Sequence, residues 1–344
     1  MLANKLNNEE LKALLKNETF KRITLSFYRY VNIGNPEQFR DYLYKTFIHL
    51  GVLGRIYIAQ EGINAQISMP QHAYTVFKTF VNGNEYLSDV PFKIAVEDDG
   101  KSFYKLIVRV KTKVVADGLP DDMDFSDVGK HIDAVELNKA LEDPNTIIID
   151  MRNHYESEVG RFENALCLDA DTFKDALPKA VEMVEDKKDH KIILYCTGGI
   201  RCEKAGAYFK ANGFEDVNQL YGGIIAYAAQ AKAEGLPSKY IGKNFVFDER
   251  LGERITEDII SQCHQCGKPC DNHTNCANDD CHLLFIQCDD CKANLKGCCT
   301  MPCVHVVELP VNEQRKLRKG KLKTNAHAVY KSRLRPHLLM DFKV

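Results

Sequence analysis

The chain has 344 residues, enough for two or three domains, and 44% hydrophobic with 27% charged residues is the balance of a soluble globular protein. A formal net charge of −2 excludes a global attraction to nucleic acid, so any such site must be a local patch. No run approaches the ~18 apolar residues of a membrane span, and Met1 to Glu10 hold no apolar core of signal-peptide length, so a cytoplasmic protein without membrane partners is expected.

Residues 7–17 read as a short amphipathic helix. Ile23 to Val31 has strand composition, and Pro36 to Leu50 has helical spacing, with Phe39, Leu43, Phe47 and Leu50 on one face. Arg55–Ala59 and Ile63–Ile67 flank Gln60-Glu61-Gly62, a hairpin signal. A helix at His72–Phe80 and strands at Phe92–Val96 and Leu106–Val110 complete the series. That order predicts a ferredoxin-like α+β sandwich, a split β-α-β, over residues 1–115. Residues 116–130 carry Asp117, Asp121, Asp122, Asp124 and Asp127 with Gly118 and Pro120, and read as an acidic linker. Over 131–245 strands and helices alternate, which predicts a parallel sheet covered by helices. A cysteine-rich segment over 246–310 and a basic tail over 311–344 follow, so the whole is an α/β multidomain chain.

Cys196 ends the apolar run Lys191 to Tyr195 and opens the loop Cys196-Thr197-Gly198-Gly199-Ile200-Arg201, with a helix-compatible stretch straight after. A strand, a tight loop and a helix make a thiolate: loop N–H groups and the positive helix end face the sulfur, and Arg201 adds charge. A buried core cysteine is the common alternative, but two adjacent glycines and the arginine argue against it. The six-residue loop resembles that of rhodanese domains, which cradles a cysteine persulfide. Related phosphatase loops are one residue longer and usually place His where Tyr195 stands. Asp150-Met151-Arg152, Glu156 and Gly160 to Ala165 resemble the opening segment of the rhodanese core, and Leu220 to Tyr227 its closing segment. Catalytic roles are expected for Cys196 and Arg201.

Ten of the thirteen cysteines fall between Cys263 and Cys303. In a reducing compartment that density indicates metal. Cys263-His-Gln-Cys266 and Cys288-Asp-Asp-Cys291 are two Cys-x-x-Cys pairs, which together complete a tetrahedral zinc site. Cys276, Cys281, Cys299 and Cys303 suit a second, interleaved site. One or two zinc ions are expected; four-cysteine sites also hold iron–sulfur clusters, and free thiols are the remaining alternative.

From Val311 to Arg335 there are nine Lys or Arg and one acid, Glu313. A second basic strip is Lys101, Lys105, Arg109, Lys111 and Lys113. Charge runs are commonly solvated faces. With a reactive cysteine between them, Arg109, Lys111, Lys113, Arg315, Lys316, Arg318 and Lys319 become candidates for phosphate contacts to RNA. Residues 109, 111 and 113 are expected on one face of a strand.

The order of Ala59-Gln-Glu-Gly-Ile-Asn64, the Cys196–Lys204 loop, Val246-Phe-Asp-Glu-Arg250 and the Cys263–Cys303 cluster resembles the bacterial rhodanese-related tRNA uridine hydroxylases, over about residues 20–305. The resemblance implies formation of 5-hydroxyuridine at the wobble position of tRNA, with molecular oxygen as co-substrate. It also implies the anticodon loop as partner and Cys196, as a persulfide, as the active cysteine. The residues alone do not yield oxygen insertion: no 2-His-1-carboxylate site and no nucleotide or flavin fingerprint stands out. Sulfur transfer, with a sulfur donor as partner, and a non-catalytic RNA- or protein-binding module are the competing readings.

Overall fold

The structure, a computed structural model, describes residues 6–98, 100, 102–319, 329–331 and 338. Lys101 and most of the basic tail beyond Lys319 lie outside the described residues. After a helix, α1 (Asn8–Lys16), come β1 (Arg22–Tyr30), α2 (Pro36–His49), β2 (Leu53–Ala59), β3 (Gly62–Pro70), α3 (Tyr74–Asn82), β4 (Lys93–Ile94) and β5 (Leu106–Val110). The sheet order is β4-β1-β3-β2-β5. β1, β2, β3 and β4 pair antiparallel, and β5 adds in parallel beside β2. This is the expected split β-α-β sandwich with one further strand. Strand alternation explains its two faces. Leu25, Phe27, Ile56, Ile58, Ala65 and Ile67 pack under Phe39, Leu43, Phe47, Phe77 and Val81 of α2 and α3. Ser26, Tyr28, Arg55, Tyr57, Asn64 and Gln66 occupy the opposite face and line a cavity.

Two expected strands are shorter than their composition suggests. β4 stops at Ile94 because the Asp98 carboxylate accepts from the Thr24 N–H and hydroxyl where the ladder would continue. β5 stops at Val110, so Lys111 and Lys113 lie beyond it rather than on its face; the Val114 N–H is taken by the Glu61 side chain at 2.8 Å.

The second unit comprises β6 (Lys130–Ile132), α4 (Ala134–Ala140), β7 (Thr146–Asp150), α5 (His154–Glu158), β8 (Gly160–Phe162), β9 (Leu166–Cys167), α6 (Phe173–Glu182), β10 (Lys191–Tyr195), α7 (Ile200–Ala211), β11 (Val217–Leu220) and α8 (Gly223–Glu234). Its parallel sheet runs β6-β11-β10-β7-β9. Both faces are covered, which is why β7 and β10 are unbroken apolar runs. Ile149, Ile192 and Leu194 pack against Leu177, Ala205 and Phe209, whereas Ile148, Ile193 and Tyr195 pack against Leu137, Ile224 and Tyr227.

Beyond it, β12 (Tyr240–Asn244) joins β8 and β13 (Glu253–Arg254). The cysteine-rich segment forms the hairpin β14 (His273–Asn275) and β15 (Leu284–Ile286), then α9 (Asp289–Asn294), α10 (Met301–Glu308) and α11 (Val311–Arg318). Among the described residues no helix is long and apolar enough to cross a membrane.

The stretch expected as a linker is irregular but firmly held. Asp117 is 1% exposed and meets Lys113 at 3.0 Å and Lys204 of α7 at 3.5 Å. Lys204, itself buried, reaches Glu61 at 2.6 Å and sits over the Phe125 ring at 3.8 Å. Tyr28 donates to Glu203 at 2.8 Å, and Tyr30 to the Ile200 carbonyl at 3.1 Å. These bonds seat the first sheet over the start of α7.

Candidate active site

The loop after β10 wraps the Cys196 sulfur. The Gly199 N–H donates to Sγ at 3.1 Å, and the Gly198 and Arg201 N–H groups also face it. Gly199 sits at φ +96°, a conformation that favours glycine. Burial alone would push the thiol up. The Cys202 thiol, the Arg201 guanidinium and the loop N–H groups outweigh it and bring Cys196 down from 9.0 to about 5. The side chain is therefore a thiolate at neutral pH, the reactive form.

The closing motif acts on the loop's carbonyls. Ile224 N–H donates to the Cys196 carbonyl at 3.0 Å, and Ile225 N–H to that of Thr197 at 3.2 Å. Gly223, at φ +65°, lies so close that a Cβ would stand 2.4 Å from the Cys196 oxygen. The opening motif holds the loop from beneath. Asp150 accepts from Tyr195 at 2.7 Å and from Arg152, whose guanidinium also donates to the Gly160 carbonyl at 2.6 Å.

Arg201 is expected as a cation facing the thiolate, and its guanidinium is also bound to Glu156 by two hydrogen bonds of 2.7 and 2.9 Å. Its charge is shared with that carboxylate, so the arginine braces the loop as much as it activates the sulfur. Thr197 Oγ1 completes the brace, 3.5 Å from both.

Cys196, Thr197, Gly198, Ile200 and Arg201 line a cavity of about 310 Å³. Its roof is the polar and aromatic face of the first sheet, with Tyr28, Tyr57, Asn64, Gln66 and Lys93. Its far wall is the Val246-Phe-Asp-Glu-Arg250 stretch, which contributes Val246, Phe247, Asp248 and Arg250. The cysteine clusters do not line it. Of the segment over 246–310, only residues before its first cysteine reach the cavity.

Lys93 is absent from the sequence-based candidates. It is 8% exposed, and its ammonium lies 4.2 Å from the Tyr28 ring centre. Burial lowers it to about 8, against the raising influence of Cys196 and Glu203. No local pattern marks a lysine between Phe92 and Ile94; the alternating Ser26, Tyr28 and Tyr30 were a usable signal for the roof.

The eight metal candidates form two groups, Cys263, Cys266, Cys288 and Cys291, and Cys276, Cys281, Cys299 and Cys303. Within each group the sulfurs lie within 4.8 Å of one another. Cys266–Cys288 and Cys281–Cys299 are 3.6 Å apart, and Cys299–Cys303 3.7 Å. A tetrahedral zinc with bonds of ~2.3 Å requires sulfurs roughly 3.8 Å apart, and a disulfide only ~2.05 Å. Both groups fit a tetrahedral thiolate-bound ion. His273 belongs to neither group; its ring packs edge-on against Phe245, with centres 4.9 Å apart.

Of the phosphate candidates, Arg109 is exposed and pairs in register with Tyr57, and Lys111 lies 5.7 Å from that ring. Both neighbour Tyr57, which itself lines the cavity. Lys113 is corrected. Its ammonium is bound by Asp117, Asp121 and the Leu119 carbonyl, so it is a structural cation rather than a phosphate ligand. Arg315, Lys316, Arg318 and Lys319 lie on α11 and just beyond it, and Arg318 is paired with Asp279.

Residues 22–114 match the UPF0176 acylphosphatase like domain, 133–230 the Rhodanese-like domain, and 241–304 the Rhodanase C-terminal family. A solved rhodanese-like domain from Anabaena sp. is 28% identical with a TM-score of 0.27, over 33% of this chain and 78% of its own. The tRNA uridine(34) hydroxylase of Enterobacter sp. (strain 638) is 55% identical over 323 residues, 93% of each chain. That of Leptospira interrogans is 53% identical over 338 residues, 98% of this chain and 92% of its own. Agreement at that level, end to end and across all three segments, makes this chain a member of the tRNA uridine(34) hydroxylase family.

Proposed function

We propose that this protein is a cytoplasmic enzyme that converts uridine 34 of tRNA to 5-hydroxyuridine, with molecular oxygen as the source of the new hydroxyl. The observation that carries the reading is a reactive sulfur at the floor of a cavity whose roof belongs to a different domain. A base from an unpaired anticodon loop can be splayed into such a recess without melting a duplex. Asn64 and Gln66 offer amides that match the donor and acceptor edge of uracil, and Tyr57 and Phe247 offer ring faces for stacking. Arg109 and Lys111, beside Tyr57, are placed to meet flanking phosphates, and the basic residues of α11 offer further charge.

Cys196 is the nucleophile, and Arg201 with Glu156 positions its loop. The same N–H groups that hold the thiolate suit a persulfide, which supports that form as a second state of the sulfur. The two cysteine groups would each hold a zinc ion. Zinc there supplies cross-links to a segment with little apolar core of its own.

The test is mass spectrometry of tRNA nucleosides from a deletion strain complemented with wild-type protein or Cys196→Ser. Hydroxyuridine and its derivatives at position 34 should return only with the wild type, and carry ¹⁸O after growth under ¹⁸O₂. If thiolated bases disappear in the deletion strain while hydroxyuridine persists, the protein is a sulfurtransferase instead.

A further inference from the structure

Among the described residues the cavity is lined by four cations, and three have partners. Arg201 is bound to Glu156, Arg250 to Asp248 and Glu253, and Arg55 to the Phe247 carbonyl at 3.0 Å. Lys93 differs. Among the described residues no carboxylate or carbonyl is in contact with its ammonium, which rests on the Tyr28 ring. The nearby Glu203 is engaged by Tyr28, His131 and Gln219. The lysine stem passes beside the active loop: a Cβ on Gly198 would lie 3.7 Å from Lys93 Cδ, and one on Gly222 3.6 Å from its Cε. A buried ammonium without a fixed counter-ion, next to a thiolate, is an anion site left open on one side. It also comes from β4 of the first domain, so only docking of the two domains brings it to the sulfur.

We propose that Lys93 holds the negative charge that moves from the Cys196 sulfur onto O4 of the target pyrimidine when that sulfur adds to C6. This rests on the uridine-modifying reading above. In the step the S–C6 bond forms and the C5–C6 π pair shifts towards C4, leaving an enolate oxygen at O4. The charge passes from sulfur to oxygen; no electron is gained or lost, and no proton has to move. Lys93 faces the charge before and after, donating a hydrogen bond to O4. C5, the carbon that must bond oxygen, thereby becomes nucleophilic. Reversal restores the uracil and the thiolate. Protonation of the enolate at C5 and its reversal exchange the C5 hydrogen with water, a readout that needs no oxidant.

The experiment uses full-length wild type, Lys93→Met and Lys93→Arg, with tRNA from the deletion strain. Hydroxyuridine formation is followed by mass spectrometry, and tritium release from [5-³H]uridine-labelled tRNA is followed without oxygen. Lys93→Met should lower kcat by roughly 10²–10³-fold, as loss of one donor to a developing oxyanion does, with KM within about threefold of the wild type. Tritium release should fall in parallel. Lys93→Arg, which keeps the charge, should recover at least about tenfold of the loss and shows that the site still folds. Unchanged kcat in Lys93→Met, a loss confined to KM, or lost hydroxylation with wild-type tritium release would overturn the role. Wild-type protein that makes no hydroxyuridine and releases no tritium overturns the assigned reaction itself, which is a distinct result.

Discussion

Lys204→Met removes one charge from the joint between the two domains while keeping most of the stem. Lys204 is 2% exposed and carries two acids, Glu61 at 2.6 Å and the otherwise unpartnered Asp117 oxygen at 3.5 Å. In the variant Glu61 loses its cation, while Asp117 keeps Lys113 at 3.0 Å on its other oxygen. Breaking a buried pair from one side costs about 3–5 kcal/mol, which is a shift of roughly two to three and a half decades in the docked-to-undocked ratio at ~1.4 kcal/mol per tenfold. Glu61→Gln should cost less, because its other oxygen keeps the Val114 N–H. The double variant should cost less than the sum, since it relieves the stranded acid. The assay is the rate at which a bulky maleimide labels Cys196, read beside hydroxylation. Undocking lifts the roof, so labelling should rise as hydroxylation falls. If Lys204→Met keeps wild-type stability within about 0.5 kcal/mol and labels no faster, the joint is not what closes the cavity.

Alkylation of Cys196 by iodoacetamide should stay fast from neutral pH down to about 5 and fall below it, tracking the depressed thiol. The folded value lies below the ordinary 9.0, so the thiolate's contribution to stability is full above about 9 and lost as pH falls through about 5. Protein prepared without chelators should contain two zinc ions per chain by elemental analysis; Cys303→Ser should leave one, and a content of zero would reject both sites. Arg109→Glu with Lys111→Glu should weaken tRNA binding and lower its salt slope by about one per lost phosphate contact. Lys113→Glu should instead lower the melting temperature through Asp117.

What the sequence shows well is whatever is local. The loop from Cys196 to Arg201 is readable because its thiolate geometry uses contiguous residues. The first sheet is readable because its strands alternate and its helices keep one apolar face. The first cysteine group follows from spacing, since both members of a Cys-x-x-Cys can meet one ion. What it hides is whatever acts across distance. Lys93 meets a loop about a hundred residues away, and the strand pattern of Phe92–Val96 around it does not say so. Lys113 looks like its neighbours Arg109 and Lys111 until Asp117 folds back onto it. The irregularity of 116–130 is legible in its acids and turn formers; the burial of one of those acids depends on Lys204, far along the chain.

The interleaving of the two cysteine groups has a consequence for the order in which the chain can be completed. The first group joins Cys263 and Cys266 to Cys288 and Cys291, and the second joins Cys276 and Cys281 to Cys299 and Cys303. Each closure therefore begins before the other has ended, and neither can be made from one end of the segment alone. With metal bound, opening either closure frees a stretch that the other still spans, so the chain entropy released is smaller than for two clasps in series. Were each group to hold a metal, the first closure would wait for Cys291 to leave the ribosome and the second for Cys303. A product stopping between those residues would hold Cys196 and the cavity residues but lack the second set of sulfurs in full.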